Sequence, residues 1–405
     1  MHCFVSDLHL TEENFAGSVS DAHLTEFVDR VAGLSIDGTP VTLVFVGDIL
    51  ELLRSRRWGR LWDTHRSAPW SGMCAGFKNF QGGHAEECAL AVARGICARY
   101  AGFAARLRSL VEDGKIRTEY VFGNHDYMVQ LSSGLRAILI ELLSLDHDAG
   151  RPFRLTYDDE ASSVFATHGH AYDAINWHRE DVGCWALGDA VVLRVVNRFA
   201  EEACAVLGLT ERTPVGQLVQ DIENVESVLD VPLYVNWIAE TFMSSPADKE
   251  NLRGTWKVII SEFLAIEEFA GHGGYRDTPH QRLRRGFEMS THLGLADLFH
   301  QFAGLFGGGG PDYPAEARRL GETGGRRFVL FGHTHEPALL PLDLQEIGSS
   351  FYVNSGCWRR VVSQSSSRRP GRFLPRRLAS YFLVDPAGGD PLRERYHLHQ
   401  EWHAT

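Results

Sequence analysis

Five blocks of aspartate, histidine and asparagine residues follow short apolar runs along the chain. They are Asp7-Leu8-His9, Gly47-Asp48, Gly123-Asn124-His125-Asp126, His168-Gly169-His170 and Gly332-His333-Thr334-His335. Side chains of an extended strand alternate between its two faces, so Asp7 and His9 point the same way. Imidazole and carboxylate ligands suit Mn, Fe or Zn, while the absence of thiolates from the blocks argues against a closed structural zinc site. The blocks therefore predict a metal centre.

Each block alone has an ordinary structural explanation. An isolated Asp-x-His is usually a surface turn, and Gly123-Asn124 could supply positive φ angles to a β-turn. The same kind of block nevertheless recurs at the end of one strand-like run after another. This repetition favours a functional site over turn chemistry.

The apolar runs predict the elements that must position these side chains. They read HCFVSDLH, VTLVFVGD, TEYVFGNHD, SSVFATHGH, RFVLFGHTH and SFYVNSG, each rich in β-branched and aromatic residues. Nearly continuous apolar runs are typical of strands covered on both faces in layered α/β proteins. Because such folds bind ligands at the carboxyl ends of their strands, the blocks are expected to meet at one edge.

A change in character near residue 173 predicts a second unit. Four amphipathic helical patterns lie between 173 and 325, one of them starting at Thr213-Pro214 with an N-cap followed by proline. This region holds 23 acidic and 13 basic residues. A GGGGP run at 307–311 follows its last helical pattern. We predict a discontinuous catalytic domain, 1–172 with 326–405, and an acidic helical insert at 173–325.

Composition limits the class of partner. The formal net charge is −12, which argues against a general nucleic-acid binder. The seven cysteines include no CxxC pair, which favours free thiols. Because the first strand-like run begins at residue 2, we expect no signal peptide of the usual form. The sequence contains no apolar run of about 18 residues, the length needed to span a bilayer. We expect a cytoplasmic protein without a transmembrane segment.

In this order the blocks resemble the complete signature of the calcineurin-like metallophosphoesterase family, across 1–172 and 326–385. The resemblance implies a four-layer αββα sandwich of two mixed sheets, to which this chain adds its large helical insert. It also implies two divalent metal ions, most readily Mn, with Fe or Zn as alternatives. Asp7, His9 and His335 would hold one metal, Asn124, His168 and His333 would hold the other, and Asp48 would bridge both.

The activity implied by this resemblance is hydrolysis of a phosphodiester or phosphomonoester by a hydroxide that bridges the metals. His125 would act as the general acid on the leaving oxygen, and Asp126 would orient the His125 ring or stabilise its charge. The expected substrate is a phosphate ester, including a nucleotide.

Three alternative functions stay open. SDLHL, GDILELL, GHTHEP and YVNSGCW are similar to the UDP-2,3-diacylglucosamine hydrolase branch, which cleaves a pyrophosphate. That branch usually reads Gly-Asn-Arg-Asp in the third block, where this chain has His125, and it lacks an acidic insert of this size. A metal-dependent nuclease would need a basic track along its substrate. An inactive scaffold of the same fold is the non-enzyme alternative.

Residues outside the blocks yield weaker predictions. Arg54, Arg57 and His170 are candidate substrate contacts, with solvated or loop-capping roles as the alternative. The segment 359–377 carries seven arginines and is either a solvated loop or a flap that contacts an anion. The insert would either cap the site or form a homo-oligomer surface.

Overall fold

The chain is a mixed α/β protein, as the strand-like runs predicted. The computed structural model describes residues 1–13, 18–59, 80–177, 186–210, 212–265, 279–293, 297–298, 311–344, 348–365, 372–385 and 395–402. Within these ranges there are 11 α-helices and two mixed β-sheets.

All the predicted apolar runs form strands. In chain order the strands are β1 (His2–Val5), β2 (Val41–Val46), β3 (Ile116–Val121), β4 (Thr156–Asp159), β5 (Val164–Thr167), β6 (Phe328–Phe331), β7 (Ala338–Leu344), β8 (Gly348–Asn354), β9 (Cys357–Gln364), β10 (Phe373–Asp385) and β11 (Arg395–Trp402). The first sheet has the order β11-β10-β1-β2-β3, with β9 also paired to β10, and the second has the order β4-β5-β6-β8-β7. β1, β2 and β3 are parallel, as are β5, β6 and β8.

Helices fill the connections between the strands. They are α1 (Asp21–Ala32), α2 (His84–Arg99), α3 (Ala101–Glu112), α4 (Ser133–Leu143), α5 (Leu187–Val191), α6 (Asn197–Leu207), α7 (Pro214–Gln220), α8 (Val231–Phe242), α9 (Pro246–Leu264), α10 (Pro279–Ser290) and α11 (Tyr313–Gly324). The predicted start of α7 is confirmed, because the Thr213 side chain accepts a hydrogen bond from Gly216 N and Pro214 occupies the first turn.

The two sheets pack face to face and helices cover their outer faces. Phe4 and Val44 of the first sheet share a buried cluster with Val164 and Phe328 of the second. The outer face of the first sheet is continuous with the core of α1 to α4 and with that of the insert. The outer face of the second sheet is covered by α11, which lies inside the predicted insert range but packs on β6 and β7.

Parallel pairing brings the blocks to one edge. Because parallel strands end on the same side of a sheet, the loops after β1, β2 and β3 lie together, and the loops after β5 and β6 face them. These are the loops that carry the five blocks of the sequence analysis.

The insert docks on β9 and β10 through paired polar groups. Glu226 N donates to Val362 O at 3.0 Å, and Arg360 Nη2 lies 2.9 Å from Asp221 Oδ2. Arg359 Nη1 donates to Glu223 O at 3.1 Å, and Arg376 pairs with Glu226. Arg359, Arg360 and Arg376 of the 359–377 segment therefore contact the insert, while 366–371 lie outside the described residues.

A bilayer-spanning helix was not expected, and none of the described helices is long and apolar enough by itself. The α2 and α3 helices meet the length and composition criteria only as a pair, and they are bent by 74° at their junction.

Candidate metal centre

The strand-end loops bring all seven predicted metal ligands into one buried cluster. Asp7 Oδ1 lies 3.4 Å from His335 Nε2, and His335 Nε2 lies 3.2 Å from His9 Nε2. On the other side, His168 Nε2 lies 3.1 Å from Asp48 Oδ2 and 3.2 Å from Asn124 Oδ1. His333 joins this second side, because its ligand atom lies within 4.8 Å of those of Asp48 and His168.

The backbone at these ligands is strained. Five of the ligand residues have positive φ angles, from 45° to 69°: Asp7, His9, Asp48, His333 and His335. Residues with a Cβ rarely adopt this region, at a cost of roughly 1–3 kcal/mol each, and such strain concentrates at functional sites. Loops selected only for stability would not be expected to place five strained residues in one cluster.

Two glycines allow the loops to approach this closely. Gly47 has a φ of 78°, and a Cβ there would lie 2.6 Å from His168 Cγ. A Cβ at Gly123 would collide with Asp48 Oδ1 and with the Asp48 backbone. Both positions precede a predicted ligand, so the close approach of the strands depends on them.

His168 directs its Nε2 at two oxygen atoms. Its Nδ1 lies 2.9 Å from Val46 O, and a carbonyl oxygen can only accept, so Nδ1 carries a hydrogen. Nε2 faces Asp48 Oδ2 and Asn124 Oδ1. In the metal-free protein a second ring proton satisfies these contacts, and in the neutral ring the Nε2 lone pair could bind a metal ion together with those oxygens.

His9 has the same arrangement on the other side. Glu51 Oε2 lies 3.0 Å from His9 Nδ1 and fixes the hydrogen there. The lone pair of His9 Nε2 therefore faces His335, with Asp7 Oδ1 at 3.8 Å. Burial and the neighbouring His125 lower the pKa of His9 to about 4, although Glu51 opposes this change. A neutral His9 is the form that binds a metal.

Asp48 lies between the two groups of ligand atoms. Among the described residues, its buried Oδ2 has no polar neighbour at hydrogen-bond distance other than His168 Nε2, which lies 3.1 Å away. Although burial alone would raise the pKa of Asp48, the neighbouring histidines hold it well below its usual value. Burial opposes the charged form of His168, yet Asp48 and Asp7 raise the pKa of His168 to about 10. These buried histidine and aspartate groups could hold a metal ion.

His125 is positioned to donate a proton next to this cluster. Its Nδ1 lies 2.9 Å from Glu51 Oε1, and its backbone N–H donates to Asp48 Oδ1 at 2.9 Å. Burial disfavours the imidazolium, but the carboxylates of Glu51 and Asp48 raise the pKa of His125 to about 9. The ring is therefore charged at neutral pH, as a general acid requires.

The expected role of Asp126 is wrong in its detail. Asp126 does not orient His125, because its Oδ1 accepts from Gly123 N at 2.8 Å and its Oδ2 from Ile49 N at 2.9 Å. It instead ties the loop after β3 to the loop after β2. Burial and the nearby Asp48 raise the pKa of Asp126 to about 6. Glu51 is the carboxylate that contacts His125.

Sequence reasoning missed Glu51 and Asp173. Glu51 follows Asp48 by three residues, so an acid this close to a ligand block was the available signal. Asp173 Oδ2 lies 3.1 Å from His333 Nε2, and Asp173 is itself held by Ile175 N at 2.9 Å and Asn176 Nδ2 at 2.7 Å. A carboxylate on the second ring nitrogen orients a histidine ligand.

A cavity of about 520 Å³ lies between the cluster and the insert. Asp48, His125 and His335 line one side of it. The insert contributes an apolar wall of Val192, Val225, Val228 and Leu229, and also the charged side chains of Asp189, Glu226 and Arg282. The cavity therefore exposes the cluster to a space lined by both apolar and charged groups.

The three candidate substrate residues have different environments. Arg54 lines the cavity and its Nε lies 3.7 Å from Glu51 Oε2. Arg57 points elsewhere, with its Nε 2.7 Å from Glu12 Oε2 and its side chain 47% exposed, outside the part of the cavity lining that the structure describes. His170 is fully buried behind the cluster, with its ring centroid 5.4 Å from that of His168. Of these three, only Arg54 can reach a ligand in the cavity.

Comparisons with known proteins do not assign this chain. A scan against models of protein families gave no match, and a search of curated proteins found no relative. The geometry and chemistry of the cluster are therefore the basis for a functional inference.

Proposed function

We propose that the chain is a dinuclear-metal-dependent phosphoesterase of the calcineurin-like type, which hydrolyses a phosphodiester or phosphomonoester. One observation carries the proposal. Asp48 Oδ2 lies 4.0 Å from His9 Nε2 and 3.1 Å from His168 Nε2, so it joins the two sides of the cluster, and a charged His125 lies beside it in the same cavity. A phosphoryl group bound there would have cations on one side and a proton donor on the other.

Each metal has a defined set of residues in this proposal. Asp7, His9 and His335 would hold one metal, Asn124, His168 and His333 would hold the other, and Asp48 would bridge them. Divalent cations bound in this way neutralise charge on a phosphoryl group and lower the pKa of an attacking water. Val46, Glu51 and Asp173 fix the ring orientations of His168, His9 and His333, so the ligands are ordered before a metal binds.

His125 donates its proton from Nε2. Glu51 occupies the Nδ1 side of the ring, so the hydrogen at Nε2 is the one free to move to the leaving oxygen. Once Nε2 has lost its proton, the ring is neutral and keeps its Nδ1 hydrogen toward Glu51. The negative Glu51 stabilises the charged ring before transfer and holds its orientation throughout.

The cavity favours a small ester over a polynucleotide. Its volume of about 520 Å³ suits a small molecule. The insert that closes it carries the excess of 23 acidic over 13 basic residues, which would repel a long polyanion. The apolar wall of Val192, Val225 and Val228 instead suits an ester with a hydrocarbon or aromatic substituent.

A pyrophosphate ester is the second candidate substrate. Arg54 and Arg359 are both almost fully buried and line the same cavity as the metal cluster. Guanidinium groups bind phosphoryl oxygens well, so a second phosphate could contact them. This candidate differs from the first in its leaving group, which departs without a proton.

A substrate panel tests the proposal. Protein stripped with EDTA and reloaded with Mn²⁺ would be assayed on a nitrophenyl diester, a nitrophenyl monoester, an alkyl diester, a pyrophosphate ester and single-stranded DNA. We expect turnover of small esters that EDTA abolishes and Mn²⁺ restores, with little cleavage of DNA. Replacing the bridging carboxylate, Asp48→Asn, should remove most of this turnover. Asp189→Asn is its matched control, since Asp189 is a buried carboxylate that lines the cavity outside the ligand cluster. Turnover that is unaffected by chelation would refute the proposal.

A further inference from the structure

One cysteine is part of the metal cluster. The ligand atoms of Cys357, His9 and His335 all lie within 4.8 Å of one another, and all three residues are buried. Cys357 opens β9, and the next residue, Trp358, donates its backbone N–H to Asp7 O at 3.1 Å. The start of β9 is therefore tied directly to the first ligand block.

The environment of the Cys357 thiol leaves its sulfur available to a metal. The thiol has a weak hydrogen-bond acceptor in Arg359 O, whose oxygen lies 4.0 Å from Sγ. A thiol that coordinates a metal is deprotonated, so the sulfur would bind as a thiolate.

We propose that Cys357 is a thiolate ligand of the metal held by Asp7, His9 and His335. The inference rests on the proposed metal site but does not depend on which ester is hydrolysed. When the metal binds, the sulfur–hydrogen bond breaks, the proton passes to solvent, and the sulfur electron pair coordinates the cation. The other metal, at Asn124, His168 and His333, keeps nitrogen and oxygen ligands alone.

This assignment changes the metal expected on one side of the centre. Thiolates favour Zn²⁺ and other softer cations, whereas Mn²⁺ prefers oxygen ligands. The metal next to Cys357 should therefore be Zn²⁺ or Fe²⁺ in preference to Mn²⁺. The two sides of the centre would then hold different metals when both kinds are supplied.

X-ray absorption of the wild-type protein loaded with two Zn²⁺ gives a direct test. Zinc–sulfur distances are about 2.3 Å, while zinc–nitrogen and zinc–oxygen distances are about 2.0–2.2 Å. We expect one sulfur scatterer for each pair of zinc ions. A spectrum fitted by nitrogen and oxygen scatterers alone would refute the inference.

Cobalt absorption provides a second test with a matched control. The wild type loaded with Co²⁺ should show a thiolate-to-cobalt charge-transfer band in the near ultraviolet. The Cys357→Ser protein should bind cobalt without the band, while Cys97→Ser, which alters a partly buried cysteine of α2, should keep it. A band that persists in Cys357→Ser refutes the inference. If this variant does not fold, the zinc spectrum decides.

The two proposals fail in different ways. A protein that binds zinc without sulfur, yet hydrolyses esters, refutes the role of Cys357 only. A protein that binds no metal refutes both. Metal bound with one sulfur, but without ester hydrolysis, supports the ligand and refutes the proposed function.

Discussion

The docking surface of the insert and the metal centre both bury polar groups, but they combine them in opposite ways. On the docking surface an arginine meets an acid, as in the 2.9 Å contact between Arg360 and Asp221. In the metal centre, His168 Nε2 faces the oxygens of Asp48 and Asn124. The docking surface joins charges of opposite sign from the chain itself, whereas the centre gathers groups that could hold a metal ion.

The difference separates residues that hold the insert in place from residues that could bind a metal. Removal of one partner from a buried ion pair leaves an uncompensated charge and destabilises a protein. Removal of a ligand from the metal centre removes a metal contact as well. Substitutions on the docking surface should therefore affect mainly stability, and substitutions in the metal centre should affect mainly metal binding and activity.

The largest effect is expected from Asp48→Asn. Loss of the bridging carboxylate should reduce ester hydrolysis on the order of a thousandfold or more, because metal stabilisation of a phosphoryl group contributes several kcal/mol. The metal-free variant should melt no higher than the metal-free wild type, because the substitution removes a carboxylate that raises the pKa of His168. Calorimetry in EDTA and steady-state kinetics in Mn²⁺ check the two parts. Metal-dependent turnover close to that of the wild type would contradict the role of Asp48.

His125→Ala should cost about a hundredfold or more on an alkyl diester, in line with typical general-acid contributions. On a nitrophenyl diester or a pyrophosphate the loss should be much smaller, because those leaving groups need no proton. The comparison requires kcat/KM for the wild type and the variant on each substrate. Equal losses on all of them would mean that His125 positions the substrate or a metal.

The pH profile of the alkyl diester reaction sharpens the same assignment. The raised pKa of His125 means that the ring keeps its proton below about pH 9 and loses it as the pH rises through that value. Activity should therefore fall on the alkaline side, at or below about pH 9, since bound cations lower the pKa of a nearby imidazolium. His125→Ala should lack this alkaline fall. A fall that persists in the variant belongs to another group.

Asp173→Asn should reduce the affinity for the metal at His333 by about 10- to 100-fold, the usual effect of removing a carboxylate that orients a histidine ligand. The other metal should bind as before, because Asp173 contacts His333 and not His9. Calorimetric titration of Mn²⁺ into the stripped protein should resolve one weakened and one unchanged site. If both sites weakened equally, Asp173 would act on the fold of the loops as a whole.

The smallest effect is expected from Arg360→Met on the docking surface. A fully buried pair that loses one partner costs roughly 3–5 kcal/mol, and the partial exposure of Arg360 reduces this to about 1–3 kcal/mol. Burial already raises the pKa of Asp221 against the influence of Arg360. The loss of stability in Arg360→Met should therefore be present above the pKa of Asp221. It should disappear as the pH falls through that pKa, because the protonated Asp221 carboxyl needs no charged partner. Urea unfolding at several pH values measures it, and metal affinity should stay unchanged.

The strands and the meeting of the five blocks could be predicted from the sequence, because they depend on local patterns of residues. Each apolar run contains one of the observed strands, and parallel pairing accounts for the meeting of the five blocks at one edge. The class of fold followed from the same runs. These features depend on residues that are close together in the sequence, where hydrophobicity and glycine placement are visible signals.

Features that depend on distant residues were missed. His333 and Asp173 are 160 positions apart, and His125 and Glu51 are 74 apart. The Asp126 prediction was wrong for the same reason, because a neighbour in sequence was taken as the partner of His125. The arginines of 359–377 were also ambiguous, since their composition could not show that acids of the insert would meet them.

The position of Glu51 between His9 and His125 links two equilibria. One of its oxygens faces the ring of a metal ligand and the other faces the ring of the proton donor. The negative charge of Glu51 thus stabilises both a cation at His9 and a proton on His125, and each of these weakens the binding of the other. Thermodynamic reciprocity makes the two effects equal, so metal loading at fixed pH should release a fraction of a proton from His125. Metal binding would then determine the pKa of His125, the proton donor.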